Sequence, residues 1–279
     1  MKMILDYSWK EIELLPKEKT YLFMTVAPIE EHSHHLPVGV DIQLGEYWKE
    51  KTIEKLEKKY PNYNFISMPF LPLAAGSMKT FPGCVYIRPK KLRKLIFKIL
   101  KNISEWGIQN FVIIASHGDP FHNMAIEKAC DLINNRSGTR FISPMGTLFS
   151  SEELNIDLKP GNEVDEMIRK YPEDFHAGWI ETSMMMDISP DKVSDKYKVM
   201  KDIIVTEKEM IQPKKYIQKT RGQGHLGYPK HSRLSLGRDL NNSTINFIGN
   251  IVEKMIKKED IEKYKHHFLF KLPFLRVLV

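Results

Sequence analysis

The run Phe111-Val112-Ile113-Ile114-Ala115 is apolar at every position. A strand built from it needs cover on both faces, as a central strand of a parallel sheet has. It stops at Ser116-His117-Gly118-Asp119-Pro120. Further strands are expected over 21–27, 65–71 and 140–143. Helical patterns separate them: 42–60 with Asp41 in the N-cap place, 90–106 introduced by Pro89, and 123–132. This alternation predicts βαβ units, right-handed crossovers and a mainly parallel α/β sheet.

Beyond Met145 the order is less regular. Helices are expected over 163–170, 178–187 and 238–258, a strand over 198–209, and a Gly/His/Arg-bearing loop over 222–237. No internal repeat or low-complexity linker interrupts the chain, so its 279 residues are read as a single domain, 1–279. The net charge of +7 and pI near 9.1 come largely from lysines interleaved with glutamates, as in residues 49–59. That pattern is a solvated helix face, and with no aromatic-flanked basic patch it argues against nucleic-acid binding. Cys84 and Cys130 form no CxxC pair. The charged start does not resemble a signal peptide, and no eighteen-residue apolar run exists, so a cytoplasmic protein with no membrane partner is expected. The apolar tail, 268–279, is expected to pack on the body or on a neighbouring subunit.

The first loop carries the chemistry. Pro28-Ile29-Glu30-Glu31-His32-Ser33-His34-His35-Leu36-Pro37-Val38-Gly39-Val40-Asp41 places three carboxylates and three imidazoles directly after an apolar strand. In extended chain Glu30 and His32 share a face, and His117 and Asp119 repeat that spacing after the central strand. Functional groups of open α/β sheets gather at such carboxyl ends. Mixed carboxylate and imidazole donors suit zinc, manganese or iron(II). Glu30, Asp41 and Asp119 bring three negative charges, whereas His32 and His117 bind as neutral imidazoles. Two divalent ions balance that set and leave one charge for a hydroxide; Asp41, with two oxygens, is the natural bridge.

Residues 29–41 resemble the pattern E-Q-H-G-P-H-L-P-L-x-T-D of the creatininase (creatinine amidohydrolase) family. Phe81-Pro82-Gly83-Cys84 resembles its F-P-G-T, residues 116–123 stand in the place of its N-G-H segment, and His176-Ala177-Gly178-Trp179-Ile180-Glu181-Thr182-Ser183-Met184-Met185 resembles its H-A-G-x-x-E-T-S-x-M. Residues 224–237 loosely resemble its late glycine-rich segment.

The resemblance implies a three-layer α/β/α sandwich and a binuclear metal hydrolase acting on a small molecule, assembled as a homo-oligomer, commonly a hexamer. Glu30 and His117 would hold one ion, His32 and Asp119 the other, and Asp41 would bridge. His176 matches the family's catalytic or substrate-binding histidine, a proton shuttle, and Glu181 the acidic residue of the same motif. A water activated by the ions would cleave a C–N bond of a cyclic amide or formamide. Ring-opening C–C hydrolysis of a cyclic ketone such as an inosose, processing of small peptides, and a scaffold that only binds metal or ligand are the alternatives. Departures from the pattern are Ser116 for asparagine, Glu31 for glutamine, and Asp119 for glutamate, so Glu181 is a second candidate for the place given to Asp119. No tryptophan lies in 141–153 to close over a planar ring, which argues against creatinine itself. His34 and His35 are read as loop-holding residues, Met184, Met185 and Met186 as core, and His225 and His231 as lining a pocket mouth or facing a neighbouring subunit; Ser77 is a candidate substrate contact that no motif supports.

Overall fold

A computed structural model describes the chain except for Ser77, Lys79, Thr80, Glu207, Lys208, Met210, Ile211 and Arg221. Its centre is a sheet of β1 (Lys2–Met3), β2 (Thr20–Thr25), β3 (Asn64–Ser67), β4 (Asn110–Ile114) and β5 (Arg140–Ile142), in the order β1-β3-β2-β4-β5. All pairings are parallel, and Thr25 at the end of β2 lies opposite Ile114 at the end of β4. Every residue of β2 and β4 is buried, as strands covered on both faces must be.

Among the described residues the α-helices are α1 (Trp9–Leu14), α2 (Val40–Lys59), α3 (Pro89–Glu105), α4 (Pro120–Ser137), α5 (Met145–Phe149), α6 (Asn162–Lys170), α7 (Trp179–Ile188), α8 (Pro213–Lys219), α9 (Leu234–Ile256) and α10 (Pro273–Arg276). The chain runs from β2 to β3 in one direction and from β3 to β4 in the other, so right-handed crossovers put α2 and α3 on opposite faces. Accordingly α3 packs on α4, whereas α2, α7 and α9 pack together. The result is the expected three-layer α/β sandwich. Pro89 begins α3, and Leu92, Ile96, Leu100 and Ile103 give it one buried stripe. The order of strands reverses at β2, which opens a crevice at the carboxyl ends of β2 and β4.

Several local expectations are corrected. Asp41 is not the cap of α2: Gly39 holds that place, and Asp41 lies within the first turn. Residues 198–209 form no strand among the described residues. Asp195–Val199 is a 3-10 helix, and Ile203 makes one isolated bridge to Gly227; Glu207 and Lys208 lie outside the described residues. The loop expected over 222–237 ends early, because α9 begins at Leu234. The tail lies on the body. Arg93 Nη1 donates to the Val279 carbonyl at 2.7 Å, and Lys128 Nζ donates to it at 3.1 Å. Among the described residues, no helix is long and apolar enough to cross a membrane.

Candidate metal centre

Loop 26–39 leaves β2 and returns on itself, with the Glu30 amide donating to the Val38 carbonyl at 3.0 Å. Helix α2 then carries Asp41 back over the crevice. Ser116, just past β4, donates through Oγ to the Asp41 carbonyl at 2.7 Å. A Cβ on Gly45 would lie 2.3 Å from that Oγ, so a glycine is needed for α2 to come this close to the strand end.

Asp41 Oδ2 lies 3.5 Å from His117 Nδ1, which is itself 3.0 Å from Glu30 Oε2. Asp41 Oδ1 lies 3.7 Å from His32 Nε2, which is 3.5 Å from Glu181 Oε2. Two sets of ligand-type atoms result, Glu30·Asp41·His117 and His32·Asp41·Glu181, each with its atoms within 4.8 Å of one another. Asp41 belongs to both. A third set, Glu30·His32·His176, overlaps them. Nδ1–H of His32 donates to the Glu30 carbonyl at 3.0 Å, which fixes the tautomer that leaves Nε2 free.

Glu181 arrives on the first turn of α7 and accepts from the Ala177 amide at 2.5 Å. The cap of α7 is Gly178, which has no side chain to offer, so Asp174 serves the first amides instead. Its carboxylate accepts from Trp179 N at 3.0 Å, Ile180 N at 2.9 Å and Tyr228 N at 2.9 Å. Cβ atoms on Gly178 or Gly227 would lie 1.9 and 2.1 Å from Asp174 Oδ1, so both glycines make room for that carboxylate. His176 is held between these segments. Its Nε2–H donates to the Glu31 carbonyl at 2.7 Å, and its ring centroid is 4.4 Å from that of His32.

The electrostatics call for positive charge. Burial depresses the imidazoles of His32 and His117, yet the carboxylates beside them outweigh it and hold both well above the usual histidine range. For Asp41, burial opposes ionisation, but His32 and His117 hold its carboxyl well below the usual range. Burial likewise opposes ionisation of Glu181, and His32 lowers its carboxyl. Glu30 Oε2, His32 Nε2 and Asp41 Oδ2 are buried without a hydrogen-bond partner. Buried polar atoms are ordinarily paired, so these donors fit a pair of divalent cations.

Asp119 stands apart from these sets. It caps α4, its Oδ1 accepting from the amides of Phe121 at 2.8 Å and His122 at 3.1 Å, and burial raises its carboxyl. His35 Nε2 pairs with Thr182 Oγ1 at 2.8 Å, and His225 Nε2 with the Lys201 carbonyl at 2.8 Å. His34 and His225 line a cavity of 840 Å³ beside the loop. His231 stacks on Tyr171 at 3.9 Å, and Met184 and Met185 are core. Ser77 lies outside the described residues. Sequence reasoning missed Tyr86, whose hydroxyl donates to Glu30 Oε1, and Asp174. Tyr86 lies two residues past the Phe81-Pro82-Gly83-Cys84 motif, where proximity was the one available signal.

The chain matches the family model described as creatinine amidohydrolase over residues 5–252. It is 23% identical over 201 residues to creatinine amidohydrolase of Pseudomonas putida, covering 67% of this chain and 72% of that protein. It is 24% identical over 172 residues to the mycofactocin precursor peptide peptidase of Mycolicibacterium smegmatis, covering 62% of this chain and 59% of that protein, which is less than two thirds of its length. A crystal structure of creatininase superimposes with a TM-score of 0.67 at 19% identity, covering 90% of this chain and 96% of that one. Similar creatininase structures include a zinc–zinc form and a manganese form. With the family match spanning nearly the whole chain, this protein belongs to the creatininase (creatinine amidohydrolase) family.

Proposed function

We propose that the chain is a binuclear metal-dependent hydrolase that cleaves a C–N bond of a small cyclic amide or formamide. One observation carries this reading: the two oxygens of Asp41 face two different imidazoles, each with its own second carboxylate. Glu30, His117 and Asp41 would hold one ion, and His32, Glu181 and Asp41 the other. Asp119 is left out of the ligand set because it belongs to none of the three sets of ligand-type atoms, its Oδ1 being engaged by α4. Zinc, manganese or iron(II) suits these donors.

When bound, such ions lower the pKa of water towards neutrality and polarise a carbonyl. The chain's own residues supply the rest. His176 stands beside the cluster with its ring fixed by the Glu31 carbonyl, which leaves its other nitrogen to move a proton to the leaving nitrogen. Glu31 Oε1, 3.5 Å from His176 Nε2, supports the charged form. The names of both curated relatives, an amidohydrolase and a peptidase, favour amide cleavage over opening of a cyclic ketone. Creatinine is not the proposed substrate, since 141–153 carries no tryptophan. The same reading includes assembly of several copies, which sizing by light scattering tests.

The deciding experiment is elemental analysis of the wild type and Asp41→Ala, followed by a screen of lactams, formamides, short peptides and cyclic ketones. Two divalent ions per chain, mostly lost in Asp41→Ala, and turnover of an amide are expected. A wild type that takes up no ion after reconstitution overturns the proposal.

A further inference from the structure

The two oxygens of Glu30 are treated unequally. Oε2 is buried without a hydrogen-bond partner and faces His117, whereas Oε1 accepts from the Tyr86 hydroxyl. The phenol is aimed there by its own backbone. On one side the Val85 amide donates to the Ile29 carbonyl at 2.9 Å, and on the other the Ile87 amide donates to the Ala74 carbonyl at 2.9 Å. Tyr86 is thereby fixed between the residue preceding Glu30 and loop 72–76. The ring reaches Glu30 over Gly76, where a Cβ would lie 2.2 Å from Tyr86 Cε1 and 2.6 Å from Cζ. The Glu31 amide donates to Cys84 Sγ at 3.4 Å and ties the two loops together once more. Nothing in metal binding itself requires a phenol at this place, yet two loops converge to put one there.

We infer that Tyr86 is a positioning residue for the metal centre: its hydroxyl occupies Oε1 of Glu30 so that Oε2 alone is offered to the ion shared with Asp41 and His117. Gly76 is the second half of the device, since a Cβ there would collide with the ring. The inference rests on the binuclear reading above. A side chain that orients a metal ligand typically alters metal affinity by about 10- to 100-fold when removed.

The test is a zinc titration against a competing chelator on metal-free protein, which resolves both dissociation constants without any activity assay. Tyr86→Phe keeps the ring and removes the hydroxyl. It should retain the thermal midpoint of the metal-free wild type and weaken one of the two ions by about tenfold or more, leaving the other within about threefold. In a Glu30→Gln background the same change should add nothing, because a residue acting through Glu30 is silent once that carboxylate is gone. An equal loss in both backgrounds would show a merely structural role and overturn the inference. If Tyr86→Phe does not fold, Gly76→Ala keeps the hydroxyl but displaces the ring, and must weaken the same ion. Two ions bound by the wild type, with both constants unchanged in the variant, would overturn the role of Tyr86 and leave the binuclear reading standing. A wild type that binds no zinc would overturn both.

Discussion

Glu181 Oε2 lies 3.5 Å from His32 Nε2, although the two residues come from opposite halves of the chain. His32 follows β2 on the loop that leads into α2, and Glu181 sits on the first turn of α7, which packs against α2. Their meeting gives Asp41 a second cluster to face. Glu181→Gln should therefore lower bound metal from two ions to one per chain and reduce turnover by at least about 100-fold. Elemental analysis with steady-state assays checks this, and two tightly held ions in the variant would count against Glu181 as a ligand.

Asp119→Ala should behave differently. Its carboxylate serves the Phe121 and His122 amides, so its removal should cost about 1 kcal/mol of stability while both ions stay bound. Denaturant unfolding of the loaded protein gives the first quantity and elemental analysis the second. Loss of an ion would return Asp119 to the ligand set.

Asp174→Ala leaves three amides, of Trp179, Ile180 and Tyr228, without their acceptor. A destabilisation of about 3 kcal/mol is expected. Because Asp174 anchors the turn that presents His176 and Glu181, activity should fall further than stability alone explains. Assays well below the unfolding transition separate the two effects.

Protons and metal compete for the same imidazoles. The neighbouring carboxylates raise His32 and His117 well above 6.5 in the metal-free protein, against the opposing effect of burial. A folded pKa raised above the unfolded value contributes stability that is fully present below about 6.5 and is lost as pH rises through the folded value. Chelator-treated protein should accordingly lose thermal stability as pH rises above about 6.5 and through the raised values of these imidazoles. Zinc-loaded protein, whose imidazoles are neutral ligands, should not show that loss. Apparent zinc affinity should also rise with pH, with protons released on loading, which calorimetry in buffers of differing ionisation heat reads directly.

The parallel sheet was legible in the sequence, because fully apolar strands such as Phe111 to Ala115 need cover on both faces. The sequence also placed Glu30 and His32 after one strand and His117 after its neighbour, since period-two spacing and strand ends are local facts. Where the carboxylates of Asp119 and Glu181 end up is set by contacts of the folded chain. Asp119 lies close in sequence to the open amides of α4 and folds back to cap them. Glu181 reaches His32 through packing of α7 on α2, a contact that no spacing along the chain encodes. Tyr86 was illegible for the same reason, as was the bond from the Tyr228 amide to Asp174: each joins partners brought by different segments of the chain. Local pattern fixes which way a side chain leaves its own element, but which groups meet across elements is set by how the layers pack.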